Sequence, residues 1–514
     1  MKRIKLILAI LLCVCIMIPL ASCGGTEQPA STETTANKTG SSAAAATKTT
    51  ASETTEASQT AATTEPFEKF DADGKYIPHN YDIVKAMKLT QWDVSEAELF
   101  VSGGVQKSEP AFKVAADRVM RNIAEDGYNT VLVQMRPFSD SFYPSKYYPI
   151  STFVSGSYAI QELKYDPITT IVEKAHKYGL SIHGWINPMR CMTVSEIENI
   201  TTESAVTKWY KEMGKEDSPY SQYMFIETDA GGTTRLYLNP AYEEVRALII
   251  NGVREICDNY NVDGIFMDDY FYPQSVLNKK EIDSLAYEDR TDDSTNVFRF
   301  RCNNINTLVK GIYQTVKDAD PALIYGISPN GEIRTAYNEE CADIYTWCKE
   351  DGYVDVMYPQ FYYGMIHKTS SVPSLLLEWD NAMKNDNIRL VPVLTLHKAG
   401  KNDQWAVSED GKKEWIDHND VLLEELTYLM TNSDRKVDGI GFFCYQFFHL
   451  SENNSAAVRK EIEGFSFIIH EFEQYNGKTP GDLKSGYSAH GVDLDAKMSE
   501  WNDTLRSAGK DILF

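Results

Sequence analysis

The residues best suited to chemistry are two adjacent carboxylates, Asp268 and Asp269, closing the apolar run Val262–Asp268 (VDGIFMD). In a strand, side chains alternate between the two faces. Gly264, Phe266 and Asp268 then share one face, and Ile265, Met267 and Asp269 the other. The glycine-to-aspartate spacing favours Asp268 as the residue that faces an enclosed site. Carboxylates that end an apolar strand are costly to bury without partners. Arg136 and Arg190 are the candidate partners. The competing reading makes each aspartate a helix N-cap or half of a structural ion pair.

Glycosidic hydrolysis needs two carboxyl groups: one protonates the leaving oxygen, the other attacks the sugar or activates water. Asp140 and Glu332, each just past the end of an apolar run, are the second candidates. Either is otherwise a loop carboxylate in a surface pair. Trp185, Tyr270, Tyr272, Tyr358, Tyr362 and Tyr363 offer flat faces for sugar rings, although core packing explains any one of them equally well. Arg136, Asn187, Asn330 and Gln360 could hydrogen-bond hydroxyl or acetamido groups. Carboxyls about 5–5.5 Å apart would retain anomeric configuration and carboxyls about 6.5–9.5 Å apart would invert it. With an N-acetylated substrate, the acetamido oxygen could replace the protein nucleophile. All three mechanisms stay open.

Other chemistries lack their signatures. There is no HExxH, no phosphate loop and no GxSxG elbow. The nine histidines show no ligand-type spacing, so neither a metal nor another cofactor is expected. A formal net charge of −24 argues against nucleic acid as a partner, since phosphate binding needs a basic footprint. With 43% hydrophobic and 11% aromatic residues, the 514-residue chain can build a large core.

The elements that must position these residues recur regularly. Eight apolar runs are legible: 88–93, Thr130–Arg136, 180–186, Val262–Asp268, 323–328, 354–360, 388–396 and 437–445. Helical patterns at 111–126, 168–178, 243–260, 296–317 and 420–430 precede several of them. Alternation of this kind predicts an α/β fold with a parallel sheet, and eight units match a (β/α)8 TIM barrel. A doubly wound open sheet is the structural alternative. In a barrel, the polar residues above collect at the C-terminal strand ends, where active sites sit. Val-Asp-Gly-Ile occurs at 262–265 and again at 437–440, a hint of half-barrel symmetry. A long insertion separates the third and fourth strands. It carries a helix near 203–213 and a hairpin of 223–226 with 235–238 turning at Ala230-Gly231-Gly232. A helical extension, residues 466–514, with an amphipathic stretch at 492–505, follows the catalytic domain of residues 67–465.

Residues 1–22 read as a lipoprotein signal peptide. Lys2, Arg3 and Lys5 precede an apolar run that ends in Leu20-Ala21-Ser22-Cys23. This resembles the bacterial lipobox, with Cys23 as the lipidated residue. Residues 23–66 read as a disordered tether: of residues 24–65, 28 are Thr, Ser or Ala. As a flexible coil the tether spans about 35 Å. The expected location is the extracytoplasmic face of a bacterial cell membrane, held there by the lipid alone. The six cysteines of the body read mostly as buried free thiols, with a Cys341–Cys348 bridge as the disulfide the spacing leaves open.

Six stretches, in order, carry a resemblance: 127–151 (GYNTVLVQMRPFSDSFYPSKYYPIS), 183–190 (HGWINPMR), 237–246 (YLNPAYEEVR), 262–273 (VDGIFMDDYFYP), 325–331 (YGISPNG) and 354–363 (VDVMYPQFYY). The chain resembles the glycosyl hydrolase-like family 10 proteins, over roughly residues 84 to 450. The resemblance implies a (β/α)8 catalytic domain and hydrolysis of bacterial cell-wall glycan, including strands stripped of peptide. It carries the strand-four motif onto Asp268 and Asp269. Phe266 departs from it, standing where many members have a histidine. A surface lipoprotein that binds glycan without cutting it is therefore a second expectation, and a transporter's solute receptor a third. The eight-unit count disfavours the receptor, which is built from two open-sheet lobes.

Overall fold

The computed structural model describes residues 68–228, 232–291, 295–433 and 436–514. The signal peptide, the tether and most of the Ala230-Gly231-Gly232 turn lie outside the described residues.

Eight parallel strands form the centre. They are β1 (Val84–Leu89), β2 (Thr130–Arg136), β3 (Ser181–Ile186), β4 (Gly264–Met267), β5 (Ile324–Ile327), β6 (Val356–Met357), β7 (Arg389–Leu390 with Val393–Thr395) and β8 (Gly439–Phe443). Pairing runs in sequence order from β1 to β7, and β8 pairs back onto β1. β7 is split because Pro392 has no N–H to give the ladder. Its first half pairs with β6 and its second with β8. Phe361 N–H donates to the Val393 carbonyl (2.9 Å) and Val393 N–H to that of Pro359 (2.8 Å), so the second half also meets the chain leaving β6. The sheet therefore closes into the expected (β/α)8 barrel.

Helices pack outside it: α1 (Glu109–Glu125), α2 (Pro167–Lys177), α3 (Glu243–Asn259), α4 (Val297–Ala319), α5 (Ile333–Glu340), α6 (Val372–Ala382), α7 (Val421–Asn432) and α8 (Ala456–Tyr475). Their starts are written locally. Asp166, Asn296 and Ser455 accept backbone N–H groups at the first turns of α2, α4 and α8. Their apolar stripes face the sheet; Phe112, Ala116, Val119 and Ile123 of α1 are all buried.

The strand phase sorts two cores. Val84, Ala86, Leu132, Trp185, Phe266, Val356, Tyr358, Val391 and Val393 fill the barrel interior. Met87, Val131, Val133, Ile182, Ile265, Met267, Tyr325 and Ile327 join the larger core beneath the helices. At the N-terminal rim, the residue before each even strand caps its neighbour. Asn129, Asp263, Asp355 and Asp438 accept the N–H of Lys85, Ile182, Tyr325 and Leu390 at 2.7–2.8 Å. This gives the repeated Val-Asp-Gly-Ile a physical reason: its aspartate ties one strand to the last at the stability face.

Gly264 lets β4 approach its neighbours. A Cβ there would lie 2.5 Å from the Ile324 carbonyl oxygen and 2.9 Å from the His183 ring. Backbone cannot yield as a side-chain tip can. Gly264→Ala is expected to destabilise the fold by about 1–3 kcal/mol, read as a lower denaturant midpoint at unchanged slope. An unchanged midpoint would contradict this packing.

Two expectations need correction. The first strand is Val84–Leu89, not 88–93. Thr90 and Asp93 form a capping box that starts the helix Gln91–Glu96, so the chain has left the sheet there. The boundary at 466 falls inside α8, whose Phe465, Ile468, Ile469 and Phe472 are buried on the barrel. The extension proper is the pair Pro480–Ala489 and Leu494–Ser507. The six body cysteines are free thiols as expected, Cys341 and Cys348 among them. The expected hairpin is present as Met224–Thr228 and Thr234–Leu238, and it pairs with Arg190–Thr193.

Candidate active site

The inward phase of four strands converges at the C-terminal mouth. Val84 and Ala86 lead to Lys88; Gly264 and Phe266 lead to Asp268; Gly326 leads to Ser328; Val356 and Tyr358 lead to Gln360. These four side chains or their backbones meet. Lys88 Nζ stands 3.6 Å from Asp268 Oδ1 and donates to Ser328 Oγ at 3.1 Å. Gln360 Nε2 donates to Asp268 Oδ1 (3.2 Å) and to the Ser328 carbonyl (3.0 Å). The ammonium rests 4.8 Å from the Trp185 ring and 5.0 Å from that of Phe266, so aromatic faces line its one apolar side.

Burial decides the electrostatics. Lys88 is 1% exposed, Asp268 6% and Asp269 8%. Burial raises the Asp268 carboxyl above its ordinary value; the Lys88 ammonium is the strongest influence holding it down, followed by the Asp269 N–H and Arg190. Burial likewise lowers Lys88, opposed by Asp268 and Asp269. Asp268 is thus a buried carboxyl placed to act as base or nucleophile, with Lys88 the strongest influence favouring its charged form.

The rim is aromatic. Arg190 lies between two rings, 4.9 Å from Phe138 and 4.4 Å from Tyr270. Tyr362 is half-buried, and its hydroxyl accepts from Lys88 Nζ at 3.4 Å. Burial, then Asp268 and Asp269, keep that phenol protonated. His397 stands beside Tyr362, and burial pushes it down to about 3, so it is a neutral imidazole.

A fifth group belongs here. Glu340 ends α5 and is 9% exposed. Its Oε2 has no partner among the described residues. Burial raises its carboxyl well above the ordinary value, Asp269 raises it further, and a hydrogen bond from Asn330 opposes them, with Glu339 and Asp268 adding to the rise. Asn330 and Gln360 are bridged as neighbouring strand extensions. Gln360 thus links Asp268 through its side chain to Asn330 through its backbone, and Asn330, Asp269 and Asp268 all act on Glu340.

A closed barrel with paired carboxyls and aromatics at its C-terminal mouth is the setting for the sequence comparison. The profile of the glycosyl hydrolase-like 10 family matches residues 103–407. The chain belongs to this family. Glycosyl hydrolase YngK of Bacillus subtilis (strain 168) is 30% identical over 301 residues, 55% of this chain and 56% of that protein. Glycosyl hydrolase DigH of Escherichia coli (strain K12) is 28% identical over 328 residues, 58% of this chain and 70% of that protein. The chain thus spans just over half the length of YngK. Among solved structures, the PgaB (BpsB) glycoside hydrolase domain from Bordetella bronchiseptica aligns with TM-score 0.42 and 10% identity, covering 70% of this chain and 94% of that domain.

The glycosyl hydrolase-like barrel sorts the sequence candidates unequally. Asp268, Asp269, Arg190, Tyr270, Asn330, Gln360 and Tyr362 gather at the mouth. Asp140 is tied up by its own loop: its Oδ1 accepts the Phe138 N–H (2.9 Å), and burial pushes it up to about 6 beside Ser151. Glu332 is tied up too; its oxygens accept from Ser370 and Thr335. Arg136 points outward against α3, 4.5 Å from the Tyr148 ring, where a Cβ on Gly252 would strike it. The cation beside Asp268 is Lys88 in its place, with Arg190 further off. Trp185 and Tyr358 are buried in the barrel interior and form its floor. Tyr272 is buried in the outer core, 5.3 Å from the Arg301 guanidinium. Asn187 is committed to the protein: it donates to the Pro137 carbonyl and accepts from Trp185 and Gln134. Phe266 is wholly buried between Trp185 and Tyr358, under Lys88, so it does not face the mouth.

Proposed function

We propose that the chain is a glycoside hydrolase that cuts extracellular polysaccharide, above all peptidoglycan glycan, and is anchored on the outer face of the membrane through a lipid on Cys23. The observation that carries the enzymatic reading is the buried Asp268 carboxyl beside Lys88 at the mouth of a closed barrel. Burial, set against Lys88 and the weaker influence of Arg190, leaves that carboxyl basic enough to take a proton or attack an anomeric carbon. Gln360 donates to its Oδ1 and so fixes the carboxyl group. Tyr270 and Tyr362 supply faces on which sugar rings can stack. Membership of a glycosyl hydrolase-like family supports the same reaction class. The wall-glycan reading is supported by Leu20-Ala21-Ser22-Cys23 and the Thr/Ser/Ala-rich stretch behind it, which together would place the barrel within reach of the wall. The buried position of Phe266 supports cutting over binding alone, since the departure from the family pattern lies under the floor.

The full chain is expected to release reducing ends from glycan strands stripped of peptide and far fewer from intact sacculi. Equal release from both would remove the preference for stripped strands. Release from an unrelated polysaccharide alone would replace the wall reading.

A further inference from the structure

We propose that Glu340 is the acid that protonates the departing glycosidic oxygen opposite Asp268, an assignment that rests on the glycan-cleaving reading above. The geometry is specific. Glu340 is the last residue of α5, and Cys341 behind it turns left-handed (φ 59°) to end the helix. A helix C-terminus carries partial negative charge, which disfavours an ionised carboxylate there. Oε2 is buried and unpartnered among the described residues, so a charge on it would lack compensation. Asn330, which lowers the Glu340 carboxyl, is bridged through its backbone to Gln360, whose amide holds Asp268. The groups that bear on Glu340 are Asp269 and Asp268 from the end of β4, Glu339 on its own helix and Asn330. Three are carboxylates and none is a cation. Burial and the three carboxylates favour the acid form against the Asn330 hydrogen bond, whereas Asp268 has the Lys88 ammonium 3.6 Å away.

Two carboxyls with environments this different take opposite roles. The glycosidic C–O bond breaks, its electron pair stays on the leaving oxygen, and the Glu340 proton moves to that oxygen. Water supplies the new oxygen at the anomeric carbon. The proton that water sheds replaces, directly or through Asp268, the one Glu340 gave up.

The test pairs two readouts on the full chain. Carbon-13 NMR of glutamate-labelled protein, with Glu340→Gln to assign the signal, reads ionisation of this carboxyl without substrate. It should titrate well above the ordinary carboxylate range and drop in Asp269→Asn. Kinetics then compare stripped glycan strands with a dinitrophenyl glycoside of the same saccharide, whose leaving group needs no proton. Glu340→Gln should lose about 10²–10⁴-fold on strands, keep most of its turnover on the aryl glycoside, and lose the alkaline fall in its pH profile. Equal losses on both substrates, or full activity on strands, would overturn the assignment. If wild-type protein cuts neither substrate, the glycan reading fails by itself. A Glu340 signal that titrates in the ordinary carboxylate range overturns the acid form whatever the substrate.

Discussion

Asp268→Asn is expected to lower kcat on glycan strands by about 10²–10⁴-fold while the barrel stays folded. The amide keeps the size of the carboxyl, and its oxygen can still accept from Gln360 Nε2, so KM should change little. What it loses is the charge that receives the proton or attacks carbon. The change also strands Lys88, which is 1% exposed. Removing one member of a buried ion pair costs about 3–5 kcal/mol when the remaining charge must stay. Burial already weakens the Lys88 ammonium, so it can shed its proton and recover part of that. A lower melting temperature with native circular dichroism is the expected companion of the lost turnover. Wild-type kcat in a folded Asp268→Asn protein would remove Asp268 from the reaction.

The second large effect is on pH dependence. Lys88→Met should move the acid limb of the kcat/KM profile to higher pH. Lys88 is the strongest influence opposing the burial that raises Asp268. Without it, Asp268 stays protonated to higher pH, and the rate below the limb falls about tenfold for each unit. Methionine is chosen because a flexible thioether can occupy the slot between Trp185, Phe266 and Phe443. Stability should follow the same sign. A carboxyl whose folded pKa is raised favours the folded state at pH below the unfolded carboxylate range, and that contribution is lost as pH rises through the folded value. The variant should therefore be less stable relative to wild type in alkaline than in acid solution. An acid limb that does not move would show that Lys88 leaves Asp268 untouched.

Much of the architecture is legible in the sequence because hydrophobic period reports burial. Thr130–Arg136 has the same bounds read from pattern and from structure. The inward phase of β4 follows from strand alternation alone, with Phe266 inside and Ile265 and Met267 outside. The first strand was harder. Its inward face is Val84, Ala86 and Lys88, and two lysines in a run of six make it look amphipathic and solvated. Shifting the strand to 88–93 hides Lys88 at the wrong end of the sheet. The need of Asp268 for a cation is the signal that could have recovered it. Glu340 leaves no comparable trace: in Asn338-Glu339-Glu340 it has the composition of a solvated acidic run, and only the tertiary fold buries it. The aromatics show the limit of residue type. Trp185, Tyr272 and Tyr358 are as aromatic as Tyr270 and Tyr362, and only tertiary position separates floor, outer core and rim. Arg136 was lost in the same way, because a bulge between Gln134 and Arg136 accompanies its turn toward α3.

The central claim is that the mouth around Asp268 hydrolyses glycosidic bonds. Its most direct test is reducing-end release from peptide-stripped glycan strands by the full wild-type chain, with folded Asp268→Asn protein alongside. Steady release by the wild type and near-background release by the variant is the predicted result. Equal release by both, or none by the wild type from any strand, would contradict it.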